Sequence, residues 1–492
     1  MLLEMAADGL GDRVALGRRA DGVTLAELGR RARRAATRLA AGAGDHVVLI
    51  DENSPAVPIG LFGAGIAGKP FVPLNYRLSD DRLCAVLERV APAIVIAGSG
   101  VAERVARVGG LEVVGRDDFL DAVADADLDE ADGWACDPDA VAVLLFTSGT
   151  TGAPKASVLR NRNLAAYVTG TVEFGSAADD EASIVSVPPY HIAAVSSVLT
   201  STYAGRRVVQ LERFEPGEWV RAARAEQVTH AMVVPTMLNR ILDAIDDGTG
   251  LPSLRSLAYG GGPMPRPVIE RALRLLDDVA FVNAYGLTET SSTIAVLGPA
   301  EHREALASDD AAVRARLGSV GRSLPGVELT IRDPLGEPVP SGEVGEIWVR
   351  GEQVSGEYVG SAAPHEDGWF RTRDAGRLDA DGFLYVEGRL DDVIVRGGEN
   401  LSPGEIEAVL MEHPEVADAA VVGVPDVEWG ERVVAAVVLR PRAGAKEPEL
   451  QEHVRRVLRS ARTPERIDVV ESLPYNETGK LLRRELRRRF TA

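Results

Sequence analysis

Apolar residues along the chain follow two alternating patterns, one typical of helices and one typical of buried strands. A Thr24-x-x-Glu27 capping box precedes apolar positions at helical spacing that end before Gly42. Short apolar runs then alternate with helical patterns, which predicts parallel strands with helices on both faces. The predicted elements are strand 46–50, helix 55–66, strand 71–74, helix 79–90 and strand 93–96.

The alternation pauses and then resumes. Residues 100–139 are acidic and weakly patterned, so they are predicted to connect two related halves. Strands are predicted at 183–187, 207–211, 230–234, 254–259 and 280–284, with helices at 216–226 and 267–276. From 317 to 389 the runs become short, β-rich and punctuated by glycine and proline, which indicates a small barrel or distorted sheet.

The tail from residue 391 differs again. It predicts helix 403–412, strands 417–424 and 433–439, helix 447–459 and a basic end at 481–489. The predicted fold class is therefore α/β, with a large N-terminal domain (1–390) of two doubly wound α/β halves plus a small β-rich subdomain, and a smaller C-terminal α+β domain (391–492). A chain of 492 residues is long enough to need at least two cores.

Charge and hydropathy exclude some classes of partner. A formal net charge of -20 argues against binding along a nucleic-acid backbone, which needs a basic face. A small anion can still bind where lysine, arginine and backbone donors cluster. The first residues lack a basic segment followed by an apolar core, and no run is long enough to span a bilayer. We therefore expect a cytoplasmic protein without an integral membrane segment.

One stretch has the composition of a phosphate loop. An apolar strand ends in hydroxyls and glycines that close on Lys155, at the sheet edge where open α/β folds bind ligands. Glycine lets backbone N–H groups approach an anion, and the lysine adds a positive charge. Pro154 and Ala156 flank the lysine, so this is not the G-x-x-x-x-G-K-[ST] loop. A flexible surface turn is the alternative. The predicted contacts are Thr147, Ser148, Gly149, Thr150, Thr151, Gly152 and Lys155.

This stretch, Thr-Ser-Gly-Thr-Thr-Gly-x-Pro-Lys, resembles the signature of the adenylate-forming superfamily, which contains acyl-CoA synthetases, luciferases and peptide-synthetase adenylation domains. The resemblance extends from about residue 25 to residue 486, with the motifs in the family order. It implies that ATP and Mg²⁺ are used and that Lys155 takes part in catalysis. Ala156, Ser157 and Asn161 depart from the usual residues at the far end of the loop.

A second motif, Asn283-Ala-Tyr-Gly-Leu-Thr-Glu, follows a predicted strand. The resemblance implies that Tyr285 packs on adenine, that Thr288 meets the α-phosphate and that Glu289 holds Mg²⁺. A single carboxylate suits Mg²⁺, which commonly combines one or two carboxylates with phosphate oxygens and waters. Asn283 and Gly286 are assigned to the nucleotide site with this motif. Taken alone, such a turn is more often structural.

Two further segments are assigned to the ligand pockets. The glycines in Tyr259-Gly-Gly-Gly-Pro would weaken a strand unless something flat lay against the backbone. By resemblance they line adenine and the acyl pocket, which assigns Gly261, Gly262 and Pro263 to the nucleotide and Gly260 to the substrate; a wide turn is the alternative. Pro188-Pro-Tyr-His matches a family segment beside the acyl channel, so His191 is assigned to the substrate, with a structural histidine as the alternative.

The remaining motifs lie near the predicted domain boundary. Gly368-Trp-Phe-Arg-Thr-Arg-Asp resembles the family's Thr-Gly-Asp motif, which implies that Asp374 accepts both ribose hydroxyls. Arg373 stands where the family usually has glycine; it either crowds the loop or adds a phosphate contact. Gly388-Arg-Leu-Asp-Asp resembles the family's interdomain hinge, which implies that Arg389 approaches the ribose and phosphates, groups that its donors suit. Asp391 is the implied hinge of a mobile C-terminal domain.

That domain carries two motifs that serve different steps. Gly397 and Gly398 leave room for the pantetheine arm of CoA, whereas Lys480, in Asn-Glu-Thr-Gly-Lys, resembles the family lysine that enters the site during adenylation. Together the motifs imply an ATP-dependent carboxylate:CoA ligase, an acid–thiol ligase that forms an acyl-adenylate and then an acyl-CoA thioester. The implied cofactors are ATP, Mg²⁺ and coenzyme A.

Two alternatives stay open. One is an acyl-AMP ligase that loads an acyl carrier protein, although no obvious insertion of the kind typical of those enzymes lies between residues 369 and 391. The other is a non-catalytic nucleotide-binding protein of the same fold. The expected substrate is a small carboxylic acid without an α-ammonium group, because the Phe-Asp-x-Ser segment of peptide-synthetase domains is missing. A roomy, mostly apolar pocket suits an aromatic, polycyclic or medium-to-long aliphatic acid.

Overall fold

A computed structural model describes residues 1–132, 137–147, 155–245, 250–360, 365–397, 399–458, 462–475 and 481–491. Seven of the predicted site residues lie outside these ranges: Ser148, Gly149, Thr150, Thr151, Gly152, Gly398 and Lys480.

The first third of the chain alternates between helices and strands, as predicted. Its elements are α1 (Leu2–Gly9), β1 (Val14–Leu16), β2 (Val23–Thr24), α2 (Leu25–Ala41), β3 (His46–Ile50), α3 (Ala56–Ile66), β4 (Phe71–Pro73), α4 (Asp80–Leu87), β5 (Ala93–Ala97), α5 (Val101–Val105), β6 (Leu111–Gly115), α6 (Arg116–Ala124), β7 (Val141–Thr147), β8 (Lys155–Arg160) and α7 (Asn161–Thr171). Helix α2 begins as expected, because the Thr24 hydroxyl accepts the Glu27 N–H at 3.2 Å.

The prediction that residues 100–139 only connect two halves is wrong. They contain α5, β6 and α6, and β6 extends the first sheet parallel to β5. The apolar pattern is weak there because β6 lies at a sheet edge, where Glu112 and Val113 are exposed. The chain then returns to the same sheet through β7 and its antiparallel neighbour β8.

The middle of the chain forms a second, nine-stranded sheet. Its elements are β9 (Ala182–Val185), α8 (Ile192–Ala204), β10 (Arg207–Gln210), α9 (Pro216–Ala225), β11 (His230–Val233), α10 (Pro235–Ala244), β12 (Ser256–Gly260), α11 (Arg266–Leu275), β13 (Ala280–Leu287), β14 (Ser292–Leu297), α12 (Pro299–Ala307), α13 (Ala311–Ala315) and β15 (Arg322–Ser323). The strand order is β15-β14-β13-β12-β11-β9-β10-β1-β2, so the unpredicted strands β1 and β2 join this sheet.

A third sheet of five strands confirms the β-rich segment. Its region contains β16 (Glu328–Arg332), β17 (Gly345–Arg350), β18 (Glu357–Tyr358), β19 (His365–Glu366), β20 (Trp369–Leu378) and β21 (Leu384–Arg389). Strand β18 leaves this group and pairs with β8, which makes the first sheet seven-stranded in the order β18-β8-β7-β4-β3-β5-β6. Strand β18 therefore links the β-rich segment to the first sheet.

The tail forms its own five-stranded sheet with helices on it. Its elements are β22 (Ile394–Arg396), β23 (Glu399–Leu401), α14 (Pro403–Met411), β24 (Val416–Asp426), β25 (Gly430–Leu439), α15 (Glu447–Leu458), β26 (Arg466–Val469) and α16 (Arg483–Thr491). Separate apolar clusters cover the two faces of this sheet, one around Ile406 and Val433 and one around Val434 and Phe490. In the described ranges, no helix has both the length and the apolar character to cross a membrane.

Candidate active site

Residues from all three large-domain sheets meet at the candidate site. Glu289 lies in a 3₁₀ turn directly after β13, in the second sheet. Lys155 begins β8 and Tyr358 ends β18, both in the first sheet. Asp374 in β20 and Arg389 in β21 face each other as paired residues of the third sheet. The candidate site thus brings together side chains from three different sheets.

Glu289 is buried and oriented by the first sheet. Its Oε1 accepts a hydrogen bond from the Tyr358 hydroxyl at 2.6 Å. Its carbonyl oxygen accepts the N–H groups of Ser355 at 2.9 Å and Gly356 at 3.0 Å. Within the described ranges no protein donor reaches Oε2, and no three His, Cys, Asp or Glu side chains form a metal cluster. Glu289 therefore fits a Mg²⁺ ion held by one carboxylate and by phosphate oxygens.

Tyr358, which sequence reasoning missed, links the predicted metal ligand to the predicted phosphate lysine. The Lys155 ammonium lies 5.5 Å from the centre of the Tyr358 ring, within reach of a cation–π contact. Burial and the carboxylate of Glu289 raise the pKa of Tyr358, so its hydroxyl stays protonated and donates. Arg160 holds the strand of Tyr358 in place through two hydrogen bonds to Glu357, at 2.9 and 2.7 Å.

Asp374 is buried between two predicted nucleotide contacts. Its Oδ2 accepts the Tyr285 hydroxyl at 2.7 Å, and its Oδ1 accepts Arg389 Nη1 at 2.8 Å. Burial, strengthened by the Asp374 charge, raises the pKa of Tyr285 well above its ordinary value. Burial alone would lower the pKa of Arg389, but Asp374 and Glu289 outweigh it and raise that pKa. A carboxylate has about four acceptor positions, so Asp374 keeps two for ribose hydroxyls.

A bulge in β20 turns Asp374 toward the site. Glu346 and Trp348 of β17 face Ala375 and Arg371, so the single residue between them opposes three residues of β20. Thr372 stabilises the bulge, because its hydroxyl donates to the Ile347 carbonyl at 2.7 Å and accepts the Asp374 N–H at 3.1 Å. Between them Arg373 adopts a left-handed backbone with φ 59°. For a residue with a Cβ this conformation costs about 1–2 kcal/mol.

Two of the assigned glycines have a structural reason to be glycine. A Cβ at Gly260 would collide with the Ala284 carbonyl of the neighbouring strand, and one at Gly286 would collide with the Ser292 carbonyl. Gly261 has φ 80°, and a Cβ at Gly262 would meet no described atom within 4 Å. Gly261, Gly262 and Pro263 are exposed. The part of the triplet that is open to a ligand is therefore its second half.

Other assigned residues are placed as follows. The buried Asn283 side chain donates to the Ser319 carbonyl at 3.0 Å, which gives it a structural role. The Thr147 hydroxyl donates to the Lys155 carbonyl at 3.4 Å across the β7–β8 hairpin. Thr288 is half-buried at the start of the 3₁₀ turn that carries Glu289.

His191 precedes helix α8 and has the features of a neutral side chain. Burial lowers its pKa to about 4, so the ring is uncharged at neutral pH. Its Nε2 is shielded from solvent, and no hydrogen-bond partner for it occurs among the described residues. The ring packs at 4.9 Å from the Tyr190 ring, measured between centroids. An apolar or aromatic acyl group suits such a neighbour better than a charged one.

On the C-terminal side, the predicted hinge Asp391 lies in a 3₁₀ turn directly after β21. Gly397 has φ 58°, donates its N–H to the Trp429 carbonyl at 2.8 Å and leaves no room for a side chain against the Trp429 ring. The backbone of Gly397 is therefore held against an aromatic surface.

The family model for AMP-binding enzymes matches residues 3–359, and the model for the C-terminal domain of these enzymes matches residues 405–480. The chain belongs to the AMP-binding enzyme family. The matched ranges include Lys155, Glu289 and, at the end of the second range, Lys480. The segment between the two ranges carries Asp374, Arg389, Asp391, Gly397 and Gly398.

Curated relatives and solved structures agree with this assignment. The chain is 37% identical over 482 residues to a feruloyl-CoA synthase from an Amycolatopsis species, covering 95% of this chain and 94% of that one. It is 33% identical over 493 residues to the fatty acid–[acyl-carrier-protein] ligase ScoC of Streptomyces coeruleorubidus, covering 95% and 92%. The o-succinylbenzoate CoA synthetase of Bacillus subtilis, in complex with its acyl-adenylate intermediate, superposes with a TM-score of 0.86 at 29% identity, covering 99% and 97%.

These findings confirm the predicted family, the fold class and the enzyme class, an AMP-forming acid–thiol ligase. They also bear out the predicted cofactors ATP, Mg²⁺ and coenzyme A, since the Bacillus subtilis enzyme is also known in complex with ATP and a magnesium ion. The roles of individual residues and the domain boundary at 390/391 stay predictions.

Proposed function

We propose that this chain activates an aromatic carboxylic acid with ATP and transfers the acyl group to CoA, in the cytoplasm. The observation that carries the proposal is the junction at which Lys155, Tyr358 and Glu289 lie beside the Asp374–Arg389 pair. The aromatic class is supported by two of the CoA-forming relatives, whose names specify feruloyl and succinylbenzoate groups, and by the neutral, aromatic-packed His191.

In the first half-reaction a carboxylate oxygen of the acid bonds to the α-phosphorus of ATP and the bond to pyrophosphate breaks. Catalysis of this kind needs alignment and charge stabilisation more than covalent help. Asp374 would fix the ribose, with Arg389 keeping its carboxylate charged and in place. Lys155 would face the phosphates from its position over Tyr358. Mg²⁺, when bound at Glu289, offsets the charge of the phosphate oxygens.

Tyr358 would act as a positioning residue in this step. By donating to Oε1 of Glu289, it leaves Oε2 as the oxygen directed to the metal. Its raised pKa keeps it a donor at neutral pH, so it does not compete with the metal ligand by becoming an anion. The face of the same ring lies 5.5 Å from the Lys155 ammonium, so one side chain contacts both the proposed metal ligand and the proposed phosphate lysine.

In the second half-reaction the CoA sulfur bonds to the acyl carbon, AMP leaves with the electron pair, and the thiol proton is released. We propose that Lys480 serves adenylation and then withdraws, and that rotation about Asp391 brings Gly397 and Gly398 to the same place. The fixed backbone of Gly397 supports this, because its contacts with Trp429 would make it move together with the C-terminal domain. A hinge needs only a few residues to absorb such a rotation.

A second candidate is transfer to the thiol of an acyl carrier protein, which the similarity to ScoC favours. Both candidates share the first half-reaction, so only the thiol distinguishes them. Knowing which acid is activated would therefore not distinguish CoA from a carrier protein as the acceptor.

The test is pyrophosphate release across a panel of aromatic and aliphatic acids, with CoA, with a phosphopantetheinylated carrier protein, and with neither. We expect aromatic acids to give the highest kcat/KM and acyl-CoA to accumulate. Acyl transfer to the carrier protein without acyl-CoA would favour the second candidate. ATP binding without turnover for any acid would contradict both.

A further inference from the structure

The segment that leads to His191 is short and stiff. It follows strand β9 of the second sheet and ends where helix α8 begins. The His191 N–H donates to the Pro188 carbonyl at 3.1 Å and closes a turn between them. Two consecutive prolines, at 188 and 189, restrict the dihedral angles of this turn. The position of Val187, at the start of the segment, therefore determines where His191 lies.

Asn53, from the other α/β half, fixes the start of this segment. It is buried and follows β3 of the first sheet. Its Nδ2 donates to the Val187 carbonyl at 3.0 Å and to the Leu211 carbonyl at 3.1 Å. An asparagine amide has two N–H donors, so both are used on the chain just beyond β9 and β10. Among the described residues, its Oδ1 has no hydrogen-bond partner.

The end of the segment is also held by the first half. Tyr76 lies in the loop after β4, and its ring centroid is 5.9 Å from that of Tyr190, with the planes at 70°. This edge-to-face arrangement is one that aromatic pairs prefer. The Tyr190 ring in turn packs against the His191 ring. Residues of the first half thus contact the segment both before and within its turn.

Asn53 is not needed merely to join the two halves. Gln210 Nε2 donates to the Ser54 carbonyl at 2.7 Å, and Arg213 pairs with Glu52. Those polar contacts end on β10 and the residues after it. An apolar cluster shared by helices α3 and α8 also joins the halves. The particular contribution of Asn53 is its hydrogen bond to Val187.

We infer that Asn53 is a positioning residue for acid binding, which acts by holding the 187–191 segment at the depth that the acyl group requires. The inference rests on the proposed function, which places the acyl group beside His191. Without Asn53 the buried Val187 carbonyl loses its donor and has to turn toward another partner. The turn and His191 then shift with it, and reacting groups tolerate only small displacements.

The kinetic test compares wild type with Asn53→Leu, using the acid that gives the highest kcat/KM in the panel. Leucine has a similar size and no donor. We expect the KM for the acid to rise about tenfold, which corresponds to the loss of one well-placed interaction. The KM for ATP should change less than twofold, because the proposed nucleotide contacts are held by Tyr358 and Arg389 on other strands.

A second readout needs no acid. Hydrogen–deuterium exchange of peptides that cover residues 187–195 reports how firmly the segment is held. In Asn53→Leu we expect this exchange to be about tenfold faster than in wild type, while exchange around Glu289 stays the same.

Gln210→Leu is the matched control. It removes one side-chain amide bond between the same two halves but none to the segment, so the KM for the acid and the exchange of 187–195 should stay at wild-type values. Should Asn53→Leu fail to fold, Tyr76→Leu provides the second variant. Tyr76 is only half-buried, and its loss removes the ring contact to Tyr190, so a rise of about threefold in the KM for the acid is expected.

Unchanged exchange of 187–195 in Asn53→Leu would overturn the inference. Faster exchange with an unchanged KM for the acid would also overturn it, since acid binding would then not depend on this segment. Equal increases in the KM for ATP and for the acid, or the same changes in Gln210→Leu, would show a general loosening between the halves and contradict a specific role. A panel in which no acid is activated would count against the proposed function, whereas the exchange measurement would still test the hold of Asn53 on the segment.

Discussion

The two sides of the active site are built differently. On the large-domain side, Glu289 and Asp374 are buried and held by residues from other strands, namely Tyr358, Tyr285 and Arg389. On the C-terminal side, the contacts of Arg483 are internal to that domain. Arg483, three residues after the predicted lysine, binds Glu407 through both its Nη atoms and donates to the Val421 carbonyl at 2.7 Å.

The difference shows how each side is held rigid. In the large domain, the charged side chains of Glu289 and Asp374 are held by residues that come from different sheets. In the C-terminal domain, Arg483 joins helix α16 to the sheet of that domain, and its side chain also lies 3.6 Å from Asp392, beside the predicted hinge. A hydrogen bond of 2.6 Å from Ser402 to the Glu387 carbonyl joins the two sides. This arrangement suits a domain that moves as one body over a preformed site.

The largest expected effect concerns the C-terminal side. Lys480→Ala should slow acyl-adenylate formation on the order of 10²-fold or more, because one preorganised charge is lost at the reacting phosphate. It should spare the conversion of supplied acyl-AMP to acyl-CoA, which single-turnover assays measure separately.

The matched variants are Asp391→Pro and Gly398→Leu, which should spare adenylation and slow thioester formation. A proline restricts the hinge dihedral, and a leucine fills the proposed pantetheine passage. Equal loss of both half-reactions in Lys480→Ala, or no loss in Asp391→Pro, would contradict rotation of the C-terminal domain.

The next largest effect tests the fixed side. Glu289→Gln should lower the rate of adenylation about 10- to 100-fold and raise the Mg²⁺ concentration needed for half-maximal rate. Tyr358→Phe removes only the hydrogen bond to Oε1, so it should have a smaller effect in the same direction. Measuring the adenylation rate of both variants against Mg²⁺ concentration shows which substitution has the larger effect. If the two variants have unchanged magnesium curves, Glu289 does not hold the metal.

Sequence patterns predicted much of this fold because its buried strands are short and apolar. Strand β3 was predicted with its observed bounds, and β9 to β12 within about two residues. The exposed edge strand β6 and the two-residue strand β18 were not, since neither has a continuous buried pattern. The family motifs identified Glu289. Its partner Tyr358 follows 69 residues later, and it reaches Glu289 because its strand, β18, pairs with β8, a pairing that local sequence does not encode.

Glycine illustrates the same limit at the site. The triplet 260–262 predicts an open pocket, yet the neighbouring strand explains Gly260 by itself. Sequence shows that a side chain is missing, but only the structure shows whether protein or ligand occupies the space. Arg373 is the converse case: its sequence left crowding and a phosphate contact open, and the structure shows a left-handed backbone at φ 59° with an exposed side chain, which argues against crowding.

The third prediction separates these glycines. Gly260→Ala should lower the free energy of unfolding by about 1–3 kcal/mol, because its Cβ would collide with the Ala284 carbonyl. Gly262→Leu should leave stability within about 0.5 kcal/mol and raise the KM for ATP about tenfold, since its side chain enters open space in the part of the triplet assigned to the nucleotide. Urea unfolding and the KM values for ATP and for the acid measure the two outcomes. An unchanged KM for ATP with an altered preference between a wide and a narrow acid would place that glycine at the acyl pocket instead.

The smallest expected effect is a change in pH dependence on the fixed side. Burial lowers the pKa of His191 to about 4, whereas the unfolded chain titrates near 6.5. Between these values the unfolded state binds the additional proton, so the free energy of unfolding falls as the pH drops from 6.5 toward 4. His191→Asn should remove this contribution, about 1–2 kcal/mol between pH 7.5 and 5. Asparagine also suits the position before helix α8, so the variant should fold.

Urea unfolding of wild type and His191→Asn at pH 7.5 and 5 gives the difference directly, because a general effect of the substitution cancels between the two pH values. His230, whose pKa is also lowered to about 4 by burial, remains in both proteins and should keep part of the dependence. His191→Asn should therefore reduce the loss of stability at pH 5 without abolishing it. If the loss is the same in both proteins, the His191 ring accepts a proton freely in the folded state, and an apolar, neutral acyl pocket around it is ruled out.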